Sequence, residues 1–217
     1  MLAEAPHIER IIAKDPASLW TSIRPDSSRR LLLAALDAFG TLGFEGATTR
    51  EIATRAKMSP AAVYVHYGAK IDLLETILEV AHQAAWEAVS EALDGVVGPS
   101  RRLRVFAEAF AAWHASNYML GRVAQYELPA LPEGRMEKIA AIRRGFERLV
   151  RHELRLGIDE EGFIVPDLDG TALVIVSLGI DLVRWYSPDR RITVEELARL
   201  RGELVLRMVR PWGTAAD

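Results

Sequence analysis

From about residue 27 to residue 210 the apolar side chains recur at helical spacing, and strand signals are almost absent. Prolines and glycines punctuate this pattern rather than interrupt it, so the chain is restricted to an all-α fold. A first long helix is expected over Ser27–Leu42, with Asp26 as its cap and Leu32, Leu36 and Phe39 as its inner stripe; Gly43 and Gly46 then break the chain. Residues 1–25 read as a partly ordered leader, with a short helix near Ile8–Lys14.

Two very short helices follow. Thr48-Thr49-Arg50-Glu51 is a capping-box pattern and starts a helix that runs to about Ala56. Ser59-Pro60 pairs a serine cap with proline at the first helical position and starts a second, Pro60–His66. Helices this short, about three residues apart, fit a helix-turn-helix. In that motif the second helix enters the major groove with its N-terminal residues nearest the bases. Ser59, Pro60, Ala61, Ala62 and Tyr64 are then the groove-facing candidates. Small side chains let the helix approach base edges, and an alanine methyl can touch a thymine methyl. Tyr64, His66, Tyr67 and Lys70 offer hydroxyl, imidazole and ammonium groups suited to phosphates, and Thr49 and Arg50 offer contacts from the first helix.

Charge distribution agrees with this reading although the whole chain carries −3. Residues 24–70 hold seven Lys/Arg against four Asp/Glu, a net of +3, while the remainder has a net of −6. DNA affinity follows the local charge near phosphates. No apolar run approaches about 18 residues, the N-terminus lacks a secretory pattern, and there are no cysteines. A cytoplasmic protein with no membrane partner is expected.

The segment ATTREIATRAKMSPAAVYVHYGAKIDLLETIL closely resembles the signature of the TetR (tetracycline-repressor-like) family, T-x-x-x-I-A-x-x-A-G-V-S-x-x-x-[LV]-Y-x-[HY]-[FY]-x-x-K-x-x-L. Thr48, Ile52, Ala53, Ala56, Ser59, Val63, Tyr64, His66, Tyr67, Lys70 and Leu73 occupy its positions. Lys57 departs from the glycine usual in the turn, where a left-handed backbone costs a non-glycine residue about 1 kcal/mol. Ala69 stands where a serine often caps the next helix.

The resemblance implies an N-terminal three-helix DNA-binding domain, 26–70, and a larger helical domain for ligand binding and dimerisation, 71–212. Further helices are expected near Lys70–Leu93, Arg101–Asn117, Leu120–Glu127, Pro132–Leu156, Leu168–Tyr186 and Val194–Val209, with Thr193 and Glu196 as another capping box and a loop at 157–166 holding an extended piece at Phe163–Val165. The helix from Leu168 is apolar around much of its circumference and must be covered on several sides. With Leu197, Leu200, Leu204 and Met208 on the last helix, it is expected to make a homodimer interface, the alternative being that both helices are buried within one monomer. Phe110, Trp113, Tyr118, Met119, Arg122, Tyr126 and Trp185 are the candidate ligand-binding residues. RVAQYELPAL and RWYSPDRRITVEELA resemble segments in a branch of the family that responds to acyl-coenzyme A thioesters and controls fatty-acid or steroid breakdown. Arg144, Arg148, Arg151 and Arg155 form a basic stripe that suits either coenzyme A phosphates or a solvated face.

The function expected is therefore a DNA-binding repressor, released from a palindromic operator by a small hydrophobic effector such as an acyl-CoA. The alternative is a helical ligand-binding protein without DNA-binding function. No zinc-protease, nucleophile-elbow or phosphate-loop motif is present, and the five histidines show no metal-ligand pairing, so no catalytic residues, metal or cofactor are expected.

Overall fold

The computed structural model describes residues 5–189 and 191–209, and every described element is helical. Eleven α-helices appear among them: α1 (Pro6–Ala13), α2 (Asp26–Gly46), α3 (Thr49–Arg55), α4 (Pro60–His66), α5 (Lys70–Leu93), α6 (Pro99–Ser116), α7 (Tyr118–Tyr126), α8 (Glu137–Glu161), α9 (Leu168–Ile180), α10 (Leu182–Trp185) and α11 (Val194–Val209). The chain groups into two compact units. One holds Asp15–Ala84 and Asn117–Ala141; the other holds, of the described residues, 5–14, Ala85–Ser116, 142–189 and 191–209.

In the first unit α2 packs against α3, α4 and α7. Leu31, Leu32, Phe39, Ile52, Val63 and Leu73 are buried. α2 runs past the expected Leu42 to Gly46, with a break at Gly43 (φ 75°), a conformation that glycine adopts without a Cβ clash. Asp26 is its first helical residue rather than its cap; Pro25 holds the cap position, and the Asp26 carboxylate pairs with Arg29. The Met119 side chain of α7 fills the space where a Cβ on Gly40 of α2 would stand.

In the second unit α6 is the central rod, against which α1, α9, α10 and α11 pack. Its residues from Phe106 to Ala115 are all buried. Phe110 stacks on Phe106 (5.4 Å) and meets His114 (4.4 Å) and Phe146 of α8 (4.8 Å). The helix expected in the leader is present as α1, with Ile8 and Ile11 buried and His7 Nε2 2.8 Å from Glu108 Oε2 on α6. Capping at α11 is reciprocal: Glu196 N–H donates to Thr193 Oγ1 (3.1 Å) and Thr193 N–H to the Glu196 carboxylate (2.9 Å).

Besides α2, three further regions differ from the sequence expectation. α8 starts at Glu137 rather than Pro132, because the chain around Pro129 and Pro132 forms 3-10 turns at Leu128–Ala130 and Glu133–Arg135. Its far end passes Gly157 and stops before Gly162 (φ 70°), which shortens the expected loop. No strand forms at Phe163–Val165; Ile164 N–H instead donates to Val209 O at 2.8 Å. The long helix from Leu168 is divided at Asp181 into α9 and α10.

Candidate nucleic-acid interface

The turn between α3 and α4 is set by backbone hydrogen bonds. Lys57 N–H donates to Thr54 O (3.0 Å) and Met58 N–H reaches back to Ala53 O (2.9 Å), the paired bonds of a Schellman stop. Lys57 takes the left-handed conformation that the turn requires (φ 56°). Thr48 Oγ1 accepts Glu51 N–H at 3.1 Å and caps α3, while the Glu51 carboxylate pairs with Arg55 (2.8 Å). Ser59 holds the cap position of α4, but its side chain makes no capping bond there.

α4 buries only Val63. Ser59, Pro60 and Ala61 are exposed, Ala62 is half-buried, and Tyr64 and Val65 are 60% and 77% exposed. Ala61, Tyr64 and Val65 fall at i, i+3 and i+4 and so share one face. Arg50 is exposed on α3, and Thr49 Oγ1 lies 3.4 Å from Tyr64 Oη, joining the start of α3 to this face. Val65 escaped the sequence reading because it is apolar; its spacing from Ala61 was the available signal.

The remaining three candidates turn toward α2. Ser28 Oγ and His66 Nδ1 are 3.2 Å apart, and Tyr67 Oη donates to Ser28 O at 3.3 Å. Burial pushes the Tyr67 phenol above its usual pKa and keeps it neutral. Lys70 Nζ donates to Phe44 O (2.6 Å) and Ala47 O (2.9 Å) and sits 4.2 Å above the Phe44 ring. Its charge rests on the carbonyls that end α2. Ala69 has no side chain to cap α5, but the reverse half of a capping box is present: the Asp72 carboxylate accepts Ala69 N–H at 2.8 Å. Arg135 foremost, with that N–H, holds the Asp72 carboxyl below its ordinary pKa.

The seven ligand-facing candidates divide between the units. Phe110, Trp113 and Trp185 lie in the unit built on α6, while Tyr118, Met119, Arg122 and Tyr126 lie on α7 in the other. Phe110 and Trp113 are buried, and both pack on His114. The Arg122 guanidinium lies over the Tyr126 ring at 5.2 Å, so their four-residue spacing brings them together. Met119 is placed against Gly40. Arg201, absent from the sequence reading, stacks over Trp185 at 5.6 Å, and burial lowers its pKa. On α8, Arg144, Arg148 and Arg155 are exposed, while Arg151 pairs with Asp169.

With this geometry in view, residues 31–77 match the family model of bacterial regulatory proteins, tetR family, and residues 97–209 match the tetracyclin repressor-like C-terminal domain. The chain belongs to the TetR family. Its helix-turn-helix is that family's DNA-binding module, and the family is one of transcription regulators rather than enzymes. A TetR-family regulatory protein from Rhodococcus RHA1 superposes with a TM-score of 0.80 at 35% identity, over 85% of this chain and 97% of that one. The repressor KstR2 of Mycobacterium tuberculosis is 26% identical over 187 residues, 83% of this chain and 92% of KstR2. The activator FasR of Mycolicibacterium smegmatis is 32% identical over 87 residues, and this match spans only 40% of either protein. The TetR-like fold is shared with AibR, crystallised with isovaleryl coenzyme A and operator DNA (TM-score 0.73, 22% identity, 84% of this chain and 97% of that one). Among the described residues no helix is long and apolar enough to cross a membrane.

Proposed function

We propose that this TetR regulator acts as a cytoplasmic homodimer that represses transcription from a palindromic operator and leaves it when a small hydrophobic effector binds. The exposed face of α4 carries the reading: a helix that buries one side chain and leaves Pro60, Ala61, Tyr64 and Val65 in water has its surface free for a groove. Residues 26–70 form the DNA-binding domain and 71–212 the ligand-binding and dimerisation domain. Thr49, Arg50 and Ser59 flank the contact face, and His66, Tyr67 and Lys70 act chiefly by fixing α4 on α2.

A second copy covers the outer sides of α9 and α11, where Leu173, Val174, Leu200, Leu204 and Met208 are all exposed in one chain. Leu204→Glu would bury an unpaired charge there and should give monomers in light scattering. An intact dimer at low micromolar concentration would move the interface elsewhere.

An acyl-CoA effector is supported by the resemblance to the acyl-CoA-responsive branch, by KstR2 as a relative and by the isovaleryl coenzyme A bound to AibR. Arg122 is the polar anchor of the candidate set. A gel shift on the protein's own upstream DNA, titrated with long-chain and steroid-derived thioesters and the matching free acids, tests this. Release by thioesters, reduced in Arg122→Met while operator affinity stays, is expected. No release by any of them would overturn the thioester assignment.

A further inference from the structure

The face of α4 reads DNA only if its pose is fixed, and a seven-residue helix has little stability of its own. Two residues far along the sequence but in the same compact unit, Glu127 and Arg135, hold the groups that in turn hold the chain between α4 and α5: Phe44 of α2 and Asp72 of α5. The break at Gly43 turns the Phe44 N–H out of the α2 ladder, and Glu127, just after α7, accepts it at 3.0 Å. The carbonyl of the same residue accepts Lys70 Nζ at 2.6 Å, four residues past the end of α4. Arg135, in the turn before α8, donates to Asp72 and to Glu75 (2.9 Å). The other Asp72 oxygen takes Ala69 N–H, so the two clamps meet at Phe44, Ala69, Lys70 and Asp72.

We infer that Glu127 and Arg135 are positioning residues for operator recognition: they hold the junction from which the recognition helix projects. The inference rests on the DNA-binding reading and deepens it. These are partly exposed, charge-assisted contacts, which add little to global stability. Their leverage is on geometry, because base contacts depend on the placement of the helix in the groove.

Electrostatics alone predicts the opposite sign for Glu127, and this makes the test decisive. Removing an anion should tighten binding to any DNA. Affinity is measured on a palindromic duplex that the wild-type protein enriches from genomic fragments, and on a scrambled duplex. Glu127→Ala should bind the palindrome about tenfold more weakly, within the range of a lost base contact, and the scrambled duplex as well as or better than wild type. Glu127→Gln, whose amide oxygen still accepts the Phe44 N–H, should stay near wild type. Arg135→Ala should lower the ratio of palindrome to scrambled affinity about tenfold by the same loss of base contacts. Melting temperatures should stay close to wild type.

Unchanged or tighter palindrome binding by Glu127→Ala overturns the inference. So does an equal loss in Glu127→Gln, or a parallel loss on both duplexes together with a lower melting temperature. A wild-type protein that enriches no duplex overturns the DNA-binding reading, and this inference with it. Wild-type enrichment with unaffected variants sinks the inference alone.

Discussion

α4 and α6 are opposites. α4 has seven residues and buries one, whereas α6 has eighteen and buries twelve, Glu108 and His114 among them. α6 is held by what it packs against on nearly every side. α4 is held by its ends: the Schellman turn before it, Ser28 against His66 and Tyr67, and Lys70 on the α2 carbonyls after it. The contrast separates two ways of placing a helix. Burial gives stability and leaves no surface, while anchoring at the ends leaves a face free for a partner.

The largest expected effect lies in α6. Phe110→Ala removes a ring that touches Phe106, His114 and Phe146 and should destabilise by about 3–5 kcal/mol in denaturant unfolding. A loss below about 1 kcal/mol, less than even a conservative core truncation costs, would mean that the cluster is loosely packed. At the ends that frame α4 the effects are smaller and differ in sign. Thr48→Ala deletes the α3 cap and should cost about 1 kcal/mol. Lys57→Gly relieves a left-handed lysine and should add about 1 kcal/mol; a loss instead would show that the Lys57 side chain contributes more than its backbone costs. Ser59→Ala should change thermal stability least, within about 0.5 kcal/mol, because its hydroxyl caps nothing. A cost equal to that of Thr48→Ala would restore Ser59 as a working cap.

The sequence made α4 more legible than its surroundings. Cap residues, Pro60 and the left-handed Lys57 are local signals, read from a few neighbours. The helical fold and the bounds of α4, α5 and α11 follow from the same local physics. What stayed hidden depends on distant partners. His66, Tyr67 and Lys70 carry the groups that phosphates need, but those groups serve equally well on backbone carbonyls. In the fold Tyr67 and Lys70 find carbonyls 39 and 26 residues away. Glu127 and Arg135 look like ordinary surface charges until the fold sets them beside Phe44 and Asp72. The aromatic pattern that marks Phe110 and Trp113 as ligand-wall candidates does not foretell that both are buried and pack on His114.

The central claim is that the outward face of α4 reads the operator. Fluorescence anisotropy with a labelled palindromic duplex, comparing wild type with a Tyr64→Ala, Val65→Ala double variant, tests it most directly. The two side chains are exposed, so folding should be unaffected by circular dichroism. Affinity for the palindrome should fall roughly tenfold to a hundredfold, the scale of lost base contacts, while affinity for a scrambled duplex changes little. Equal palindrome affinity in a folded double variant would contradict the claim and leave α4 as a structural helix.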